Sequence, residues 1–172
     1  MKKPLIVGIT GGSGSGKTTL AKKLGQALAL PVQSLDSVVW KDGWVAASRE
    51  ERALGEQKLI EQEQWIIEGV SRTVRESADY VIFLDVPRHI CIYRCIKRNL
   101  PYLFRSRPEL PNNCPEILIV PRLLKIIWQF PELAKPNILQ SMKQKEGVVI
   151  NTAFNLDELV KTIKADLSVF GG

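Results

Sequence analysis

The segment Gly11-Gly12-Ser13-Gly14-Ser15-Gly16-Lys17-Thr18 fits the pattern G-x-x-x-x-G-K-[ST], and it constrains the fold more than any other stretch of the chain. Such a loop requires a strand before it and a helix after it, because its backbone N–H groups must converge on one point and be held there from both sides. Both flanks are present. Residues 5–9, Leu-Ile-Val-Gly-Ile, form a short apolar run suited to a buried strand, and Leu20, Leu24, Ala27 and Leu28 recur at helical spacing. With glycine at about 7% of average sequences, chance would place this pattern in a chain of such length less than about one time in a hundred.

The residue types explain what the loop can hold. Glycines let successive N–H groups turn inward as an anion nest, where side chains would collide with a phosphate or forbid the required φ angles. The N-terminal end of the following helix adds positive potential at the same point. Gly11, Gly12, Ser13, Gly14, Ser15 and Gly16 are therefore expected to wrap the phosphates of a nucleoside triphosphate, with Lys17 reaching the β- and γ-phosphates as a mobile cation. The Thr18 hydroxyl would ligate Mg²⁺ between those phosphates, and Thr19 would assist at the α-phosphate. A Gly/Ser linker would not lie between a buried strand and an amphipathic helix. A Rossmann dinucleotide loop has no need of the Lys-Thr pair.

Composition is that of one domain. The chain has 172 residues, 45% hydrophobic and 24% charged, which is enough for a single substantial core spanning 1–172. The longest apolar stretch, residues 117–130, is interrupted by Pro121, Arg122, Lys125 and Gln129, short of the roughly 20 apolar residues that span a bilayer. Lys2 and Lys3 precede an apolar run, but the glycine loop arrives too soon for a signal peptide, so a cytoplasmic location and no membrane partner are expected. Cys91, Cys95 and Cys114 are odd in number, and the first two stand four apart beside Ile92 and Ile96, as small core hydrophobes do. A metal cage would want a further His/Cys pair, and His89 is the one histidine. The net charge of +6 is compatible with nucleic acid, an anionic surface or phosphate-rich small molecules.

Further strands are expected at residues 31–35, 65–67, 80–84 and 148–150, alternating with helices. Ser48-Arg49-Glu50-Glu51 reads as a capping box opening a helix to about residue 62, Pro87 opens another that ends near Asn99, and Asn155 caps a last one to about Ser168. Residues 38–45 read as a Trp/Gly-containing loop. Residues 100–115, with four prolines and two adjacent asparagines, read as an excursion from the core, and helices over 116–129 and 134–144 should be broken by Pro121, Pro131 and Pro136. The alternation implies an α/β fold of P-loop type: a five-stranded parallel sheet with helices on both faces, an insertion at about 36–64 and a lid at about 100–115.

In such a sheet, ligand groups gather at the carboxyl ends of the strands. Asp36, Glu68 and Asp85 end successive strands there, as candidates for Mg²⁺, for the acceptor, or simply for helix capping. Arg94 and Arg98 are i,i+4 neighbours whose repulsion an anion would relieve, and phosphate is one candidate. Arg105 and Arg107 lie in the excursion, where a guanidinium could swing over a transferring phosphoryl group as a catalytic cation.

Taken together, the glycine loop, Leu35-Asp36-Ser37-Val38-Val39-Trp40-Lys41-Asp42-Gly43-Trp44, Trp65-Ile66-Ile67-Glu68-Gly69-Val70-Ser71-Arg72, Phe83-Leu84-Asp85-Val86-Pro87-Arg88 and Trp128-Gln129-Phe130-Pro131 resemble the adenylate-kinase-related P-loop kinases. Within these, the resemblance is nearest to the DNA topology modulation proteins. It implies that Glu68-Gly69-x-x-Arg72 stands where nucleoside monophosphate kinases carry Asp-Gly-x-x-Arg, the acid organising Mg²⁺ and the arginine holding the acceptor. Arg94 and Arg98 would flank the adenine and phosphates of ATP, and Arg105 and Arg107 would be lid arginines. Glu in place of Asp at position 68 moves the carboxylate outward by one methylene, which favours a water-mediated metal contact.

The resemblance implies an ATP- and Mg²⁺-dependent phosphotransferase acting on a small acceptor, a nucleoside monophosphate being one candidate, bound near Asp36, Trp40 and Arg72, with Asp36 a further metal candidate. The alternative is a nucleotide-dependent regulatory or nucleic-acid-binding protein, which the basic charge suits but no basic-aromatic or zinc-finger signature supports. The guanine-reading Asn-Lys-x-Asp element of GTPases is missing.

Overall fold

A computed structural model of the chain describes residues 6–104, 116–151 and 155–169. In chain order the elements are β1 (Ile6–Gly11), α1 (Lys17–Leu28), β2 (Val32–Ser34), α2 (Asp36–Val39), β3 (Trp40–Lys41), β4 (Val45–Ala46), α3 (Arg49–Ile60), β5 (Trp65–Glu68), α4 (Arg72–Ser77), β6 (Tyr80–Leu84), α5 (Arg88–Asn99), α6 (Glu116–Leu133), α7 (Lys135–Met142), β7 (Glu146–Ile150) and α8 (Leu156–Val169).

The central sheet has the order β2-β5-β1-β6-β7, and every pairing in it is parallel. Its inner strands carry near-continuous apolar runs, broken by Thr10 in β1 and closed by Glu68 in β5, because both faces are covered. On one face Val7, Ile9, Ile66, Tyr80, Ile82 and Leu84 pack against Leu20, Ala21 and Leu24 of α1 and Ile163 of α8. On the other, Trp65, Ile67 and Val81 pack against Leu35, Val74 and Ala78, with Leu59 and Met142 at the margin. Every residue of β5 and β6 is buried, the side chains alternating between the two cores, and a one-residue slip would exchange the two.

The five-stranded parallel sheet with helices on both faces is the α/β architecture the strand pattern implied. The capping box also forms: the Ser48 hydroxyl accepts from the Glu51 N–H at 3.1 Å, and the Glu51 carboxylate accepts from the Ser48 N–H at 2.8 Å. Asn155 caps α8 by accepting from the Asp157 N–H at 2.9 Å. Cys91 and Cys95 are buried and reduced, packed against Ile127 of α6.

Two expectations need correction. Pro121 and Pro131 do not break the chain into helices at those points; α6 runs through both, and the break falls at Ala134, with Pro136 in the first turn of α7. A proline inside a helix costs about 3 kcal/mol. Here Ile127 and Leu123 of α6 bury against Cys91 and Cys95 of α5, and that packing holds the helix across the missing hydrogen bonds. Residues 38–45 are also more than a loop. The end of α2, the antiparallel pair β3 and β4 and a 3-10 turn at Asp42–Trp44 make a small hairpin, whose Trp44 adopts a left-handed φ of 60°. Residues 105–115 of the expected lid lie outside the described residues, Arg105 and Arg107 among them.

Candidate phosphate-binding site and its carboxylate

The glycine loop joins β1 to α1 at the carboxyl edge of the sheet, and Gly11, Gly14 and Gly16 have φ values of 154°, 78° and 101°. Within the loop, Gly14 is the position where neighbours leave least room: a Cβ there would stand 2.5 Å from the Cys91 carbonyl oxygen of α5. The loop is therefore set against the first turn of α5 on one side. On the other, the Phe130 ring of α6 lies 3.5 Å from where a Cβ on Gly12 would be, and Phe130 in turn packs on Phe83 at 6.4 Å between ring centroids.

Within this frame, the Ser15 hydroxyl is buried and has no hydrogen-bond partner among the described residues, and the Thr10 hydroxyl near the end of β1 is in the same condition. Buried hydroxyls normally find partners. An orphan inside a cradle of glycines fits an anion with several acceptor oxygens. The Lys17 ammonium folds back to donate to the Gly12 carbonyl at 3.0 Å. Burial lowers its pKa below that of a free lysine, against the opposing pull of Glu68 and then Asp36. An arriving polyphosphate would supply the charge that this ammonium lacks.

The pairing register delivers Glu68 to the loop. Ile9 and Ser34 both stand opposite Glu68 across the neighbouring strands, so the last residue of β5 comes up beside the start of α1. Its carboxylate is 4% exposed, and one oxygen, Oε1, accepts from the Thr18 hydroxyl at 3.1 Å and the Ser34 hydroxyl at 2.6 Å. With its proton committed to Glu68, the Thr18 oxygen presents its lone pairs to the loop. Hard oxygen donors of this kind suit Mg²⁺. Among the described residues no cluster of three or more His, Cys, Asp or Glu side chains forms a metal cage.

The other expected residues distribute as follows. Thr19 is exposed in the first turn of α1. Arg94 of α5 donates to the Ser15 carbonyl at 3.3 Å and so lies on the phosphate loop. Arg98, one turn on, bonds the Asn99 side chain at 3.4 Å and lies close enough for its charge to act on Lys17. Asp36 is exposed at the start of α2, its N–H donating to the Ser34 hydroxyl at 3.3 Å. Trp40 meets Trp44 edge-on at 5.4 Å, and the Arg122 guanidinium of α6 stands 5.1 Å over its ring. Arg72 is set apart from these: its side chain is 83% exposed and pairs with Glu76 at 2.6 Å. Asp85, the third strand-end carboxylate, is held by Lys135 at 2.7 Å.

Ser34 and Arg122 went unrecognised in the sequence. A serine in a three-residue strand and an arginine between prolines carry no local signal; only the strand register and the path of α6 bring them to the site.

No protein-family model matches the sequence, and no curated protein does. The fold is nonetheless shared with solved structures. A shikimate kinase from Acinetobacter baumannii, in complex with shikimate, superposes with a TM-score of 0.64 at 14% identity, covering 96% of each chain. A gluconokinase from Sinorhizobium meliloti gives 0.52 at 16% identity, over 99% of this chain and 95% of that one. A sugar kinase from Janibacter gives 0.53 at 18%, over 94% and 93%. These likenesses show that the chain shares its fold with those kinases. Among the described residues, no helix is long and apolar enough to cross a membrane.

Proposed function

We propose that this chain is an ATP- and Mg²⁺-dependent phosphotransferase acting on a small hydroxyl-bearing acceptor. The observation that carries the reading is the Ser15 hydroxyl, buried without a partner inside a glycine cradle beside Lys17 and the Thr18–Glu68 pair. The solved kinases of this fold support it, since their names span shikimate and gluconate phosphorylation on one scaffold.

In this reading the loop amides and Lys17 bind the β- and γ-phosphates, and Arg94 borders them from α5. The acceptor hydroxyl oxygen attacks the γ-phosphorus, the bond to the β–γ bridging oxygen breaks, and ADP leaves with that electron pair while the hydroxyl proton passes to solvent water. Thr18 and Glu68 would hold Mg²⁺, which supplies charge neutralisation on the phosphates. Glu68 keeps the Thr18 hydroxyl turned toward the loop. Asp36, Trp40 and Arg72 remain the proposed acceptor side, with Asp36 exposed at the strand edge where an acceptor hydroxyl would approach. Catalysis here is mainly positioning. The nearer resemblance, to DNA topology modulation proteins, is kept as a proposal of kinship only.

The test is ADP release from ATP across a panel of hydroxy acids, sugars, nucleosides and nucleotides, with filter binding to DNA across a salt series run alongside. Turnover of a small acceptor is the expected result; steeply salt-dependent DNA binding without turnover would replace the reading by its regulatory alternative. Glu68→Gln should lower kcat by about 10- to 100-fold and raise the Mg²⁺ concentration needed for half-maximal rate, as loss of a partner behind a metal ligand does. A titration with unchanged Mg²⁺ dependence would remove Glu68 from the metal's surroundings.

A further inference from the structure

The outer side of α5 carries a stripe of large apolar side chains. Cys91, Cys95 and Asn99 bury the inner side of the helix, while Tyr93, Ile96 and Leu100 follow one another on the outer side at steps of three and four residues, all exposed. Neighbours at these steps stand about 5–6 Å apart at Cβ, so the three form one surface. The 3-10 turn Leu100–Tyr102 carries that surface on to Phe104, which is 83% exposed. At the same end the Ile117 N–H donates to the Leu103 carbonyl at 3.0 Å, which seats the start of α6 there and adds the exposed Ile117 and Leu118. Single exposed apolar residues are ordinary; a run of them in one place marks a contact surface.

The charge around the stripe has one sign. Residues 88–104 hold Arg88, Arg94, Lys97 and Arg98 and no acid, in a chain whose net charge is +6. Lys97 stands among the apolar residues, its ammonium 5.9 Å from the Tyr93 ring centroid, so that its stem lies along the stripe and its head reaches past it. Arg94 turns the other way, to the Ser15 carbonyl, and the phosphate loop and the stripe therefore use different sides of α5. A second copy of the chain seated on the stripe would bring two such basic helices together, which their repulsion opposes. Nucleic acid would answer the charge but would leave Ile96, Leu100, Ile117 and Leu118 without hydrocarbon to meet, since its binders work through basic and aromatic side chains. An anionic bilayer answers both, with phosphates for the cations and an acyl boundary for the aliphatic side chains.

We infer that α5 and the start of α6 form a peripheral membrane surface that lies on anionic phospholipid, with Leu100 and Phe104 entering the boundary between headgroups and acyl chains and Lys97 facing the lipid phosphates. The expectation of no membrane partner came from the lack of a spanning segment. Among the described residues no helix is long and apolar enough to span, but lying on the surface requires no span. The inference is independent of the phosphotransferase reading.

The test is co-sedimentation of the full chain with vesicles of equal parts phosphatidylcholine and phosphatidylglycerol, with pure phosphatidylcholine vesicles and a DNA duplex as comparisons. Binding to the mixed vesicles, about 10-fold or more weaker to pure phosphatidylcholine and weakened by added salt, is the expected result. Leu100→Ser/Phe104→Ser should cut binding to the mixed vesicles by about 10-fold or more, and Lys97→Gln by several-fold. Each variant should melt within about 2 °C of wild type, because the side chains removed are exposed. Should the double variant fold poorly, Phe104→Ser alone is expected to weaken binding several-fold. No binding to the mixed vesicles, undiminished binding by a folded double variant, tighter binding to the DNA duplex than to the mixed vesicles, or a dimer in solution that the double variant converts to monomer would each overturn the inference.

Discussion

Replacing Lys17 with alanine is expected to lower kcat by about 10²- to 10³-fold, the cost of removing a donor aimed at charge that develops in the transition state. The same change should leave the melting temperature of the ligand-free protein within about 2 °C of wild type. These two effects separate because of where the ammonium stands. It makes one hydrogen bond, to the Gly12 carbonyl, and its pKa is lowered by burial, so the folded protein gains little from keeping it charged there. Once phosphates arrive, the same ammonium exchanges a neutral carbonyl for an anion. Steady-state kinetics and a thermal melt on one preparation check both halves. A variant that melts as if a core residue had been removed, or that turns over at the wild-type rate, would contradict the role of the loop.

Within the glycine loop, the largest effect on stability is expected at Gly14. An alanine there would hold a φ of 78° that L-residues adopt at a cost of about 1–2 kcal/mol, and its Cβ would meet the Cys91 carbonyl oxygen at 2.5 Å. Overpacking against backbone adds about 1–3 kcal/mol. Together, about 3 kcal/mol should be lost, a fall in melting temperature of roughly 6–12 °C for a domain of this size. By contrast, Gly12→Ala meets only the Phe130 ring at ordinary contact distance, 3.5 Å, and should melt close to wild type. Calorimetric melts of the two variants give the comparison directly, and equal melting temperatures would mean that α5 yields to the new methyl.

Much of this arrangement could be read from residues alone, for reasons that differ by element. The glycine loop, the apolar runs of β1 and β6 and the Ser48–Glu51 box are local in their physics: the residues that specify each lie within one turn or one strand of each other. The path of α6 is not local. Pro121 and Pro131 argue for breaks, and only the burial of Ile127 against α5 outweighs them. The hairpin of β3 and β4 is hidden for another reason, since two-residue strands carry no periodicity and Trp44 is an unusual residue to place at positive φ. At the site, Glu68 was legible as a strand-end acid. Its fixing by Ser34 was not, because it depends on which residue of β2 stands opposite in the sheet.

The contact between Gly14 and the Cys91 carbonyl bears on how descendants of this chain would drift. Two demands fall on that glycine, one from a ligand and one from the helix behind it, and the second persists without the first. In a lineage that gave up the proposed phosphoryl transfer, Gly14 would stay fixed by α5, while Lys17, Thr18 and Glu68, held by hydrogen bonds to Gly12, to one another and to Ser34 and by no such close backbone contact, would be freer to change. A glycine-rich loop surviving among relatives would then record the architecture. The joint presence of Lys17, Thr18 and Glu68 in a sequence would be the mark of retained chemistry.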